Sequence, residues 1–219
     1  IMKLLVTGSK GFIGKNLVMH LSEMDNIEIL EMDRDTSFSD IEKDIDNLDY
    51  VFHLAGVNRP KKVKEFYEGN TDLSQQLVSL LNSKNLKVPI IYASSIHAEA
   101  DSDYGKSKKL AENAILDYGN GSLIYRFHNV FGKWCLPNYN SAVATFCNNI
   151  ATGQKIFVDD RNKKLELIYI DDIVYEFKKI ISGEKPTEQR GKYCYVKPRY
   201  KVSLGYIVDL LKQFKDELQ

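Results

Sequence analysis

The sequence is poor in cysteine, proline and tryptophan, with three, five and one in 219 residues. Cys135, Cys147 and Cys194 are odd in number and far apart. That excludes a disulfide framework and a paired-cysteine zinc pattern, and fits a reducing cytoplasm. Histidine is scarce too, four in all, and no metal-ligand spacing occurs. Neither sign of charge is in excess, with 30 basic and 30 acidic residues. Nonspecific nucleic-acid binding and attachment to a membrane surface are therefore not expected. No apolar run approaches the roughly 18 residues of a membrane span. The N-terminal stretch does not read as a signal peptide, because Gly8 and Lys10 interrupt it early.

What is present is alternation. The chain is 43% hydrophobic, enough for one α/β domain with a small appendage. Strands are expected at Leu4–Thr7, Ile27–Met32, Tyr50–Leu54, Pro89–Ala93 and Leu123–Phe127, with helices between them at 12–24, 71–82 and 103–118. Repeated βαβ units imply a Rossmann-type, doubly wound parallel sheet covered on both faces. After Phe127 the rhythm changes. A polar, aromatic loop over 132–141 leads to a helix at 142–151, strands at Lys155–Val158 and Leu165–Tyr169, and helices at 171–182 and from Ser203 to near Phe214. The cofactor-binding core is expected over 1–130. A small, mainly substrate-binding subdomain is expected over 131–219, interleaved with the core.

The first strand runs into Thr7-Gly8-Ser9-Lys10-Gly11-Phe12-Ile13-Gly14. Three glycines at intervals of three, between a strand and a helix, make a phosphate-binding turn. Gly8 permits the tight turn, Gly11 lets the backbone approach a pyrophosphate, and Gly14 lets helix pack on strand. The N–H groups at the helix start face the anion. The second strand ends in Asp33-Arg34, and Asp33 follows Gly14 by 19 residues, where such folds read the adenosine ribose. A carboxylate there favours NAD(H). Arg34, with Lys10 in the turn, favours NADP(H). The signal is mixed.

Tyr104 and Lys108 are four apart on a helix and share a face. Two other pairs have this spacing, Tyr175/Lys179 and Tyr193/Lys197. Only the first follows a strand ending in Ser94-Ser95, at the carboxyl edge where such sheets bind ligands. A free tyrosine titrates near 10, and a neighbouring ammonium favours the phenolate. Lys108 is expected to supply that ammonium and to bind the nicotinamide ribose. Ser95 is expected to hydrogen-bond a substrate oxygen.

These segments resemble the extended short-chain dehydrogenase/reductases, which include nucleotide-sugar epimerases, dehydratases and reductases. The resemblance extends to His53-Leu54-Ala55-Gly56, Asn70, Arg126–Gly132 and Tyr169–Asp172. It implies a catalytic Ser95–Tyr104–Lys108 triad, a cofactor contact from Leu54, Ala55 and Gly56, and Asn129 near substrate. Ala55–Pro60, Phe131–Cys135, Pro137–Ser141, Ala144–Cys147 and Asp160–Asn162 further resemble the reductase domain of CapF-type capsular polysaccharide enzymes. That resemblance implies NADPH-dependent reduction, at C4, of a UDP-linked 4-keto-6-deoxy amino sugar on the way to UDP-N-acetyl-L-fucosamine. It also implies a metal-binding cupin beyond residue 219. This chain has no cupin-like histidine cluster, so it is expected to be a fragment or to lack that half.

Arg59 and Arg161 suit sugar or diphosphate contacts. Lys133, Asn138 and Asn140 suit a sugar pocket. His97 reads equally as a substrate contact or a structural histidine. Trp134 and Tyr139 read as core aromatics before uracil-stacking rings. A homodimer is expected. Rival activities are a 4-epimerase, a 4,6-dehydratase and a silent NADP-binding sensor. Ile96-His97-Ala98 after Ser95, where a dehydratase carries acids, argues against the second. Retention of both Tyr104 and Lys108 argues against the third.

Overall fold

A computed structural model describes residues 1–139 and 141–217. The first half alternates as β1 (Met2–Thr7), α1 (Phe12–Ser22), β2 (Ile27–Met32), a short α2 (Phe38–Ile41) and β3 (Tyr50–His53). One turn, α3 (Lys64–Phe66), passes through a π-helical segment, Tyr67–Asp72, into α4 (Leu73–Ser83). Then come β4 (Ile90–Ser95), a 3₁₀ turn (Ile96–Glu99), α5 (Asp103–Tyr118) and β5 (Leu123–Phe127).

The second half contains β6 (Asn129–Phe131), α6 (Ala142–Ala151), β7 (Lys164–Tyr169), α7 (Ile170–Ile181), β8 (Glu188–Arg190), β9 (Tyr193–Tyr195), β10 (Tyr200–Ser203) and α8 (Leu204–Glu217). The main sheet runs β2-β1-β3-β4-β5-β9-β8. All its neighbours are parallel except β8 against β9. Strand order reverses at β1, which opens a crevice between the carboxyl ends of β1 and β3. A second sheet, β10-β7-β6, carries the appendage.

The pleat sorts the core. Leu4 and Val6 of β1 face one way, with Leu17 and Leu21 of α1 and Ile173, Val174 and Phe177 of α7. Leu5 faces the other, with Leu77 and Leu81 of α4 and Ala111 and Ile115 of α5. Alternate side chains thus feed two cores. The six residues of β4 are all buried, as a central strand covered on both faces must be.

The expected strand at Lys155–Val158 does not form. Those residues pair with no strand among the described residues, and Phe157 is 84% exposed. Four strands escape the sequence pattern, β6, β8, β9 and β10. They are three or four residues each, too short for a periodic signal. β9 and β8 return the chain to the main sheet after α7.

Candidate active site

The glycine turn closes tightly on its neighbours. Gly8 has φ +71°, and a Cβ there would lie 2.7 Å from the Ala55 nitrogen. At Gly14 it would lie 2.0 Å from the Gly8 carbonyl oxygen. Gly11 caps α1 with no side chain bonded to the helix end and no acid in its first turn. Phe12 and Ile13 pack inward against the core. The exposed positive end of α1 is thus left to an anion. Ser9 Oγ is buried in this turn without a partner, a polar atom that a bound phosphate could satisfy. The turn fits a dinucleotide.

Asp33 closes the turn from behind. Its carboxylate accepts the Lys10 and Arg34 backbone N–H groups, both at 2.7 Å. Lys10 Nζ lies 3.5 Å from Asp35 on the surface, and Arg34 is exposed. Across the crevice, the Ala55 N–H donates to Thr7 Oγ1 (3.3 Å). Gly56 faces Asn70 Oδ1 and Lys108 Nζ, which a Cβ would approach to 2.9 and 3.3 Å.

The Ser95–Tyr104–Lys108 group sits at the carboxyl end of β4. Ser95 caps the 3₁₀ turn by accepting the His97 N–H at 3.1 Å. Helix α5 is capped by Ser102, whose hydroxyl accepts the Gly105 N–H (3.1 Å). Gly105 lets the helix approach closely, since a Cβ would meet the Ala100 and His97 carbonyls at 2.4 and 2.6 Å. Tyr104 is thereby brought near Ser95, close enough for the serine hydroxyl to act on its phenol. Burial raises the Tyr104 phenol above its ordinary value; Ser95 opposes this, and Tyr139 adds to it. Lys108 does not lower it as its spacing suggested. The ammonium is turned to the Ala93 carbonyl (2.9 Å) and the Tyr92 hydroxyl (3.2 Å). Burial brings Lys108 down to about 8, against the pull of Glu112.

A buried polar chain unites these parts. Thr7 Oγ1 lies 2.7 Å from His53 Nδ1, and His53 Nε2 lies 2.8 Å from Ser74 Oγ. Ser74 donates to the Asn70 carbonyl (2.7 Å). Asn70 Oδ1 accepts the Val57 N–H, and its amide donates to Ser107 Oγ on α5. Asn70 lies in the π-helical segment, a distortion frequent at functional sites. His53 and Asn70 are legible only as parts of resembling segments. Tyr92 has one signal, a hydroxyl in an otherwise apolar strand that must find a partner.

The substrate candidates divide. Tyr139 of the 132–139 loop is close enough to Tyr104 to influence it. Arg59 donates to the Asn138 carbonyl (3.4 Å), and His97 is exposed beside Ser95. Asn129 donates to the Glu166 carbonyl (3.3 Å). Lys133 lies against α1, where Asn16 donates to its carbonyl (2.9 Å). Trp134 is no core residue. It is 38% exposed with φ +68°, and the ammonium groups of Lys133 and Lys15 lie 4.2 and 5.2 Å from its ring centroid. Arg161 is committed to Asp209 of α8, at 2.7 Å to each carboxylate oxygen. It lines a hollow of about 630 Å³ between α6 and α8 that none of Ser95, Tyr104 or Lys108 borders. Asn140 lies outside the described residues. Among the described residues no helix is long and apolar enough to cross a membrane.

Comparison with known proteins identifies the family and the fold. The chain is 42% identical to UDP-2-acetamido-2,6-beta-L-arabino-hexul-4-ose reductase of Pseudomonas aeruginosa, over 98% of this chain and 58% of that protein. The crystal structure of capsular polysaccharide assembling protein CapF from Staphylococcus aureus superposes with a TM-score of 0.85 at 44% identity, again over 98% and 58%. The chain therefore spans a little over half the length of these relatives. UDP-glucuronic acid 4-epimerase from Bacillus cereus, in complex with NAD, shares the fold at a TM-score of 0.84 and 18% identity. The description "NAD dependent epimerase/dehydratase family" matches residues 4–190, and this chain belongs to that family.

Proposed function

We propose that this chain is the NADPH-dependent reductase portion of a surface-polysaccharide precursor enzyme. It would reduce the C4 ketone of a UDP-linked 4-keto-6-deoxy-N-acetylhexosamine. The observation that carries this reading is the Ser95–Tyr104 pair with Lys108, set beside the glycine turn in a chain so similar to a UDP-sugar reductase. The nicotinamide cofactor supplies the hydride.

The chain's own residues supply the rest. Ser95 already accepts the His97 N–H, so its own proton is free to donate to the keto oxygen. Tyr104 carries its proton at neutral pH because burial disfavours the phenolate, so the proton is present to be given to the keto oxygen. Lys108 at about 8 is mostly ammonium at neutral pH and would bind the nicotinamide ribose. Gly8, Gly11 and Gly14, with the backbone of Phe12 and Ile13, would hold the pyrophosphate. Leu54, Ala55 and Gly56 would line the cofactor crevice.

NADP(H) is favoured because both Asp33 oxygens already hold backbone N–H groups, while the Arg34 and Lys10 cations lie at the same edge. Arg59, His97, Asn129 and Asn138 are assigned to the sugar nucleotide, and Lys133 to its outer part; Arg161, held by Asp209 away from the group, is left out. The protein is read as a cytoplasmic homodimer. The test is NADPH and NADH oxidation against a panel of UDP- and dTDP-4-keto sugars. Consumption dependent on a UDP-4-keto amino sugar supports the reading. Activity with none of the panel, from a protein that binds cofactor, rejects it.

A further inference from the structure

Lys108 makes its side-chain contacts away from Tyr104, on Tyr92. The Tyr92 ring is fully buried and stacks on His53, with centroids 5.3 Å apart and planes at 25°. Its hydroxyl meets Lys108 Nζ at 3.2 Å, and Ser74 lies near enough to influence it. The protons in this cluster can be placed one by one. Ser74 gives its proton to the Asn70 carbonyl (2.7 Å), so towards His53 it can only accept. His53 Nε2 therefore carries a proton, and Nδ1 accepts from the Thr7 hydroxyl. A neutral histidine with its proton on Nε2 completes this pattern. Burial, helped by the Lys108 charge, holds His53 down to about 3. Tyr92 is then left to accept from the Lys108 ammonium, with its own proton free to turn towards Ser74.

We propose that Tyr92 is a positioning residue that keeps Lys108 hydrogen-bonded in both of its protonation states. With an ammonium beside it, the Tyr92 oxygen accepts and its proton points to Ser74. With a neutral amine, the hydroxyl rotates and donates to Nζ, and Ser74 keeps its bond from His53. No proton is created or lost in this exchange; one O–H changes partner. The groups facing Lys108 are Tyr92 and the Ala93 carbonyl from β4, His53 from β3, Gly56 after it, and Glu112 from α5 itself. Tyr92 is the hydroxyl bonded to the amine among the described residues, so it alone in this set can reverse direction. This inference rests on the reductase reading for its effect on turnover, but not for its effect on Lys108.

Tyr92→Phe keeps the ring and removes the hydroxyl. Turnover should fall about ten-fold or more, the effect of one hydrogen bond to a charged group, while the KM for the keto sugar and the Kd for NADPH change less than two-fold. The bond to the ammonium is charge-assisted and stronger than the one to the neutral amine, so without the hydroxyl the Lys108 ammonium should also lose a proton more easily. Its Nζ resonance, followed by NMR with ¹⁵N-labelled lysine, should titrate about one pH unit below the unmodified protein. The alkaline limb of the kcat profile should move with it. Ser74→Ala, which frees Tyr92 from its acceptor without touching Lys108, should move both readouts the same way by less. An unmoved Lys108 titration in Tyr92→Phe overturns the proposal, as does turnover within two-fold of the unmodified protein. If the unmodified chain reduces no keto sugar, the reductase reading fails and the Lys108 titration still decides the role of Tyr92.

Discussion

The Arg126 guanidinium grips the Glu112 carboxylate with two hydrogen bonds, Nε to Oε1 at 2.9 Å and Nη2 to Oε2 at 2.7 Å. Glu112 is fully buried, and the Arg126 side chain is 6% exposed. The Ser94 hydroxyl donates to the same carboxylate at 2.6 Å, and Arg126 also reaches Glu99 at 2.7 Å. Glu112 belongs to the helix that carries Tyr104 and Lys108. Ser94 and Glu99 flank Ser95. The cluster therefore fixes the strand end bearing Ser95 against that helix.

Removing one side of this pair should be costly. Arg126→Met leaves a buried carboxylate, and breaking such a pair typically costs ~3–5 kcal/mol. Adding Glu112→Met to that variant should recover part of the loss. Urea denaturation of both proteins measures this. A double variant less stable than Arg126→Met alone would show that the charge pair is not the source of the effect.

Tyr104→Phe should lower keto-sugar reduction by ~10²–10⁴-fold, the usual worth of a positioned proton donor, with NADPH binding unchanged. Tyr175→Phe is the matched control, because Tyr175 has the same spacing to a lysine but is exposed on α7. Steady-state rates settle the matter, and more than about a tenth of normal activity in Tyr104→Phe would remove the residue from its role.

How much of this was legible before any coordinates follows from what each signal depends on. The glycine turn is legible because Gly8 and Gly14 have no room for a Cβ, a constraint that composition and spacing display directly. The strands at β1 to β5 are legible because continuous apolar runs are what a doubly covered sheet requires. The segment 155–158 looks the same locally, yet no neighbouring strand lies beside it, and pairing is a tertiary fact. Lys108 shows the limit at the site. Helical spacing places it on the Tyr104 face, but Ala93 and Tyr92 of another element decide where the ammonium points. Trp134 was expected inside, since a lone tryptophan is usually buried; a left-handed loop residue instead holds its ring out between two lysines.

Acid should destabilise the fold through His53. Its folded value is about 3, against an ordinary 6.5. The unfolded chain takes up a proton as pH falls below about 6.5, while the native state resists until about 3, so stability is lost across that window. From pH 7 to pH 5 the loss due to this residue is about 2 kcal/mol. Denaturation at both pH values, compared with His53→Gln, measures it. The variant should lose less than the unmodified protein over the same interval, and an equal loss would clear His53 of the effect.

Arg34→Ala should weaken NADPH about ten-fold or more, a charge-assisted hydrogen bond being worth roughly 1.5–3 kcal/mol, and barely alter NADH. Calorimetric titration with each cofactor is the measurement. Tighter binding of NADH than NADPH by the unmodified chain would reverse the assignment and return Asp33 to the ribose.

The reaction itself is tested most directly with NADPH deuterated at the transferred position and a UDP-4-keto-6-deoxy-N-acetylhexosamine. A one-step reductase consumes one cofactor per product and leaves one deuterium at C4, with Tyr104 supplying the proton on oxygen. Mass spectrometry and NMR of the product read both quantities. One deuterium at C4, matched by equal cofactor loss, is the predicted result. Conversion of the sugar with no net cofactor consumption, or without deuterium at C4, would contradict it.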